Sequence, residues 1–134
     1  MITLILGKKG SGKTKRLIDM CATATAASNG NVVFIEKDNT LTYDLTHKTR
    51  LVAADEYGIV GFEALYGFIA GMCAGNYDIT DIFVDSTLKI GGSVNGLETF
   101  AEKLSHLQNV NLVLSVSADR ADIPAHIAEF ATEI

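Results

Sequence analysis

The sequence predicts a three-layer α/β sandwich built on a mostly parallel sheet, and three features predict it. Short apolar runs alternate along the chain with stretches of helical spacing, the pattern of strands and helices in turn. Of 134 residues, 48% are hydrophobic and 20% charged, which suits a sheet covered on both faces. The chain also opens on a strand, a glycine loop and a helix in direct succession. Its length corresponds to one domain spanning residues 1–134, large enough for a real core and too short for two.

Each element has its own warrant. Ile2-Thr3-Leu4-Ile5-Leu6 is a short apolar run that reads as a buried strand. After Thr14, Leu17, Ile18, Met20, Cys21 and Ala24 fall on one side of a helix expected to stop at Asn29-Gly30 through a left-handed C-cap. Asn31-Val32-Val33-Phe34-Ile35 reads as the second strand, and the polar residues 36–48 as loop. Arg50-Leu51-Val52-Ala53 is a short strand placed at an edge. Residues 59–74 carry Ile59, Val60, Leu65, Phe68, Ile69 and Met72 at helical spacing, ending at Gly75-Asn76. Ile82-Phe83-Val84 is the next buried strand. A Gly91-Gly92-Ser93 loop leads to Asn95-Gly96-Leu97-Glu98, which resembles a capping box opening a helix to about Leu107. Residues 110–116 form the last strand. Asp122 is expected to cap a final helix over residues 123–132, with Pro124 in its first turn and Ile127, Phe130 and Ile134 assigned to the core.

The chemistry concentrates at residues 7–14, Gly-Lys-Lys-Gly-Ser-Gly-Lys-Thr, a full match to the phosphate-binding pattern G-x-x-x-x-G-K-[ST] between a strand and a helix. Gly7, Gly10 and Gly12 let the backbone curl so that successive N–H groups face phosphate oxygens. The helix N-terminus adds partial positive charge at the same place. Lys13 is expected to reach the β- and γ-phosphates, and the Thr14 hydroxyl to bind Mg²⁺. The expected nucleotide-binding segment is therefore Gly7, Lys8, Lys9, Gly10, Ser11, Gly12, Lys13, Thr14 and Lys15. Lys8, Lys9, Lys13, Lys15 and Arg16 crowd this segment although the chain has only eleven basic residues. Downstream, Ile82-Phe83-Val84 delivers Asp85 at the C-terminal end of a strand, the Walker B arrangement for holding Mg²⁺. Asp81 is the alternative, expected to precede the strand and lie at the far end of the sheet. Hydrolysis also needs a group that orients water, and Ser86 stands where a second acid often follows Asp85. Glu36 and Asp38, at the end of the second strand, are the candidate replacements if that strand neighbours the nucleotide site.

Val33-Phe34-Ile35-Glu36-Lys37-Asp38 together with Ile82-Phe83-Val84-Asp85-Ser86 resembles the RecA-like branch of P-loop NTPases. The resemblance implies a RecA-like core and a catalytic carboxylate at the end of the second strand. It falls on Asp38, a shorter acid than the branch's Glu, with Glu36 two positions earlier. It also implies a polar residue at the end of the last strand that senses the γ-phosphate, here Ser117. The whole chain resembles small bacterial P-loop ATP-binding proteins through Glu36-Lys37-Asp38, Leu65-Tyr66-Gly67-Phe68-Ile69 and Val84-Asp85, which implies ATP binding. No N-K-x-D or T-K-x-D sequence is present, so ATP is favoured over GTP, and no L-S-G-G-Q signature occurs.

Composition bounds the rest. A net charge of −5 argues against nucleic acid as a partner. No apolar run approaches the roughly 20 residues of a membrane span, and the expected location is the cytoplasm. Cys21 and Cys73 read as small buried side chains, and His47, His106 and His126 as surface or helix-end residues without metal-ligand spacing. Three functional classes follow. The first is a Mg²⁺-dependent ATPase or ATP-driven switch working with a protein partner or as a homo-oligomer. The second is a nucleotide-binding module that does not turn over. The third is a small-molecule kinase with residues 39–50 as a lid, which the three arginines, Arg16, Arg50 and Arg120, make the weakest.

Overall fold

Apolar runs with no polar interruption can be satisfied only by burial on both sides, and that is how this chain uses them. The computed structural model describes residues 1–39 and 45–133. Strand β1 is Ile2–Leu6 and leads through the glycine loop into helix α1, Lys13–Ala27. Next come β2 (Asn31–Glu36), β3 (Thr49–Ala53) and a 3₁₀ turn at Ala54–Tyr57. Helix α2 is Phe62–Gly75, strand β4 is Ile79–Val84, and a short helix, α3, follows at Thr87–Gly91. Helix α4 is Leu97–Ser105 and strand β5 is Asn111–Val116. The chain closes with a 3₁₀ turn at Arg120–Asp122, the single-turn helix α5 at Ala125–Ala128, and β6 at Ala131–Glu133.

The six strands form one sheet in the order β3-β2-β4-β5-β1-β6, and every pairing among the described residues is parallel. Alternation along β1 separates two cores. Leu4 and Leu6 pack with Leu65 and Ile69 of α2 and Phe100 and Leu104 of α4. Ile5, between them, packs on the other face with Leu17 and Cys21 of α1 and with Phe34, Phe83 and Val113. One helix covers one face, while α2, α4 and α5 share the other. Because the strands are parallel, the loops that follow β1, β4 and β5 gather at one edge of the sheet. No helix among the described residues is long and apolar enough to cross a membrane.

Several expected boundaries give way to tertiary structure. Helix α1 stops at Ala27 with Ser28 extended, and neither Asn29 nor Gly30 takes a positive φ, so no left-handed cap forms. Gly30 is needed for another reason: a Cβ there would run into the backbone carbonyl of Asp78, whose oxygen also accepts the Asn31 N–H at 2.7 Å. Gly30→Ala is therefore expected to lower stability by about 1–3 kcal/mol, read as a shift in the urea midpoint. Helix α2 begins at Phe62 rather than Ile59, because Gly61 at φ 91° breaks the backbone and leaves Val60 75% exposed. At α4 the N-cap is Gly96, with no side-chain cap, and Asn95 instead donates its N–H to Ser93 Oγ, so the capping box does not form. That helix ends at Ser105, short of Leu107.

The largest departure is the C-terminal segment. A helix over residues 123–132 is replaced by one turn, α5, followed by β6. The free edge of β1 offers backbone donors and acceptors that need partners, and Leu4 N–H meets the Phe130 carbonyl at 2.9 Å where β6 begins. Ile127 is fully buried and Phe130 packs on the core, whereas Ile134 lies outside the described residues. The short strand at residues 50–53 does form and does sit at the edge, as β3. Of the loop at residues 36–48 and the lid at residues 39–50, positions 40–44 lie outside the described residues. His126 does gain partners: its Nε2 meets Glu98 Oε1 at 3.1 Å and Glu102 Oε1 at 2.6 Å. Spacing among histidines and cysteines alone gives no hint of this group, whose half-exposed contacts tie α5 to α4.

Candidate functional site

Between Leu6 and Lys13 the chain must reverse from a strand into a helix, and the glycines make this possible. Gly10 and Gly12 take φ of 83° and 95°, a region that strains any other residue. A Cβ on Gly7 would collide with the Ser11 side chain. Ser11 N–H closes the turn onto the Lys8 carbonyl at 3.0 Å. Helix α1 then starts with no side-chain cap and no acid in its first turn, and Lys13, Lys15 and Arg16 stand there instead. A helix N-terminus favours negative charge, so this start is electrostatically wrong by itself and right around an anion.

The loop forms one wall of a cavity of about 430 Å³. Lys9, Gly10, Gly12, Lys13 and Thr14 line it on that side, Ser115 and Ser117 at the end of β5, and residues 85–89 on the other. Strand order explains the assembly: β5 lies between β1 and β4, so its end sits between the loop and Asp85. Asp85 is 7% exposed and is held by two hydroxyls. Thr14 donates to its Oδ2 at 2.9 Å, and Ser115 donates to its Oδ1 at 2.6 Å. Ser115 in turn accepts the Ser86 N–H at 3.0 Å, and the Asp85 N–H donates to the Ile35 carbonyl at 2.8 Å. Ser86 occupies the left-handed region at φ 56°, the kind of strained non-glycine backbone that collects at functional sites.

Lys13 is 7% exposed, and its ammonium donates to the Lys8 carbonyl at 2.8 Å. Burial pulls its pKa below the ordinary lysine value, and the Asp85 carboxylate partly opposes that shift. A base whose pKa falls on folding is penalised while it stays charged. The penalty is full below the folded pKa and disappears as pH rises from there towards the unfolded value of 10.5. Lys13→Met is accordingly expected to raise ligand-free stability at neutral pH, the trade-off seen when a binding residue is removed. The gap from wild type should narrow as pH approaches 10.5, which thermal melts of both proteins between pH 7 and 10 will check.

The other expected residues divide. Ser117 is exposed and lines the cavity. Gly7, Lys8 and Ser11 line a smaller concavity of about 250 Å³ with Arg120 and Glu133. Lys15 pairs with Asp19 at 3.6 Å on the open face of α1 and lines neither. Glu36 is buried at the end of β2, and Asp38 is exposed just beyond it. Neither lines the cavity, because β2 adjoins β4 rather than β1 and lies beyond Asp85 from the loop. Asp81 does not precede its strand: it lies within β4 and accepts from Asn111 Nδ2 at 3.4 Å. Ser115 is the residue that the sequence reading passed over. Its signal was a lone serine inside Val113-Leu114-Ser115-Val116, since a polar group buried in a strand must find a partner.

No protein-family model and no curated protein sequence matches the chain, so the functional reading rests on this geometry.

Proposed function

We propose that this chain binds ATP with Mg²⁺ in the 430 Å³ cavity and works as a Mg²⁺-dependent ATPase or ATP-driven switch with a protein partner or a second copy of itself. One observation carries the proposal. An uncapped helix start bearing Lys13 faces a carboxylate, Asp85, that is already oriented by Thr14 and Ser115. The loop's N–H groups and cations suit a polyphosphate. The Thr14 hydroxyl and the Asp85 carboxylate are the hard oxygen donors that suit Mg²⁺. When bound, the ion neutralises charge on the β- and γ-phosphates. Lys13 would bind phosphate oxygens, Ser115 would keep Asp85 aimed, and Ser117 would contact the outer phosphate or the attacking water.

This reading assigns the chain a RecA-like P-loop NTPase core. The position of β5 between β1 and β4 supports it, because that order brings a polar strand end to the cavity. Glu36 and Asp38 keep only an indirect part, through the end of β2 beside Asp85. A second reading, a nucleotide-binding module that does not turn over, is favoured because Asp85 is the one acidic residue lining the cavity among the described residues. Phosphate release from Mg²⁺·ATP, followed over hours, separates the two readings. Slow release by the wild type that is lost in Lys13→Met supports the ATPase. Tight binding without release supports the module.

A further inference from the structure

Polyphosphate sits where cations converge, and none of the three arginines lines the cavity. Arg120 donates to Glu133 Oε1 and the Ala128 carbonyl, both at 2.8 Å, and to the Ala131 carbonyl at 3.2 Å, fastening the C-terminal segment. Arg50 donates to the Tyr57 hydroxyl at 3.2 Å near the β3 edge. Arg16 lines a separate concavity with Met1 and Thr3, at the start of β1. Among the described residues, the cations lining the nucleotide cavity are Lys9, Lys13 and Lys89. The first two belong to the glycine loop. Lys89 alone comes from the opposite wall.

Lys89 stands on α3, four positions after Asp85, and its side chain is exposed and makes no ion pair among the described residues. The segment beneath it is firmly fixed. Lys89 and Ile90 both donate their N–H groups to the Ser86 carbonyl, at 3.0 and 3.1 Å, and Thr87 Oγ1 caps the Val84 carbonyl at 3.3 Å. The Ile90 carbonyl accepts the Gly61 N–H at 2.8 Å, and Gly91 lies so close to the Phe62 ring that no Cβ would fit. A rigid base with a free ammonium is suited to meet a charge that arrives from solution.

We propose that Lys89 contacts the outermost phosphate of the bound nucleoside triphosphate and so distinguishes ATP from ADP within a single chain. The inference rests on the functional reading above. Thr14 and Asp85, the pair suited to the metal, lie between the glycine loop and α3. A Mg²⁺ held by Thr14 and Asp85 would neutralise the β- and γ-phosphates, and the wall beyond that pair, seen from the glycine loop, carries Lys89. A diphosphate leaves Lys89 without a partner. The positive charge facing the outer phosphate is then supplied in cis by a lysine.

The test measures affinities for Mg²⁺·ADP and for a non-hydrolysable ATP analogue with Mg²⁺ by calorimetry, using wild type, Lys89→Ala and Lys89→Arg. Lys89→Ala is expected to weaken the analogue by about tenfold, the worth of one charge-assisted contact. ADP affinity should stay within about twofold, and Lys89→Arg should recover most of the loss. Equal weakening of both nucleotides, or no change in either, overturns the proposal while leaving the ATP-binding reading intact. A wild type that binds neither nucleotide removes the reading underneath and this inference with it. Lys89 is exposed, so circular dichroism of the alanine variant should match the wild type.

Discussion

Replacing Lys13 by Met should weaken nucleotide binding by roughly a hundredfold while leaving a protein that is folded and more heat-stable than the wild type. The two effects share one cause. The ammonium is 7% exposed in a pocket where its nearest acceptors are the Lys8 carbonyl and, at 3.5 Å, Ser11 Oγ. Without an anion those contacts do not fully offset the loss of hydration. With a polyphosphate present, the same ammonium gains charge-assisted hydrogen bonds inside a pocket that has already excluded most water. Truncating such a contact costs up to about 3 kcal/mol, or roughly a hundredfold in affinity. A fluorescent ATP analogue titrated against both proteins reads the loss, and melting curves read the gain. Wild-type affinity in the variant would remove the glycine loop from the site.

Asp85→Asn should leave the fold intact and remove the Mg²⁺ dependence of ATP binding. Asn keeps the shape of Asp, and its amide can donate where the carboxylate accepted. Ser115 already accepts the Ser86 N–H and has a second lone pair free for such a bond. What disappears is the charge. Without that charge the site holds Mg²⁺ less well, so affinity measured with Mg²⁺ should fall towards the value measured in EDTA. An undiminished ratio between the two conditions would mean that the ion is held elsewhere or not at all.

How legible the site was in the sequence depends on how local each part of it is. The loop, Lys13 and Thr14 lie between a strand and a helix that are contiguous in sequence, so the letters carry the geometry. Asp85 was legible because a buried strand must end somewhere, and a carboxylate at the C-terminal end of β4 reaches the same edge as the loop. Ser115 carries no such mark: its burial is a local fact, but its role exists only once β5 separates β1 from β4. The same strand order puts Glu36 and Asp38 beside Asp85 rather than beside the loop. Both sit at the correct end of the sheet, but β2 lies on the far side of β4, and nothing within β2 reveals its neighbour. The C-terminal segment shows the opposite failure. Its helical spacing is real over Ile123 and Ile127, yet the unpaired edge of β1 draws residues 131–133 into β6, an interaction between the two ends of the chain. Lys89 escaped notice for a related reason: α3 is too short to leave a periodic trace, and the lysine matters only because it faces the loop across the cavity.

The most direct measurement is calorimetric titration of ATP into the wild-type protein with and without Mg²⁺. One saturable site per chain is expected, tighter with Mg²⁺ than in EDTA, and a melting temperature that rises with ATP concentration. No saturable heat and no thermal shift at millimolar Mg²⁺·ATP would contradict the ATP-binding reading.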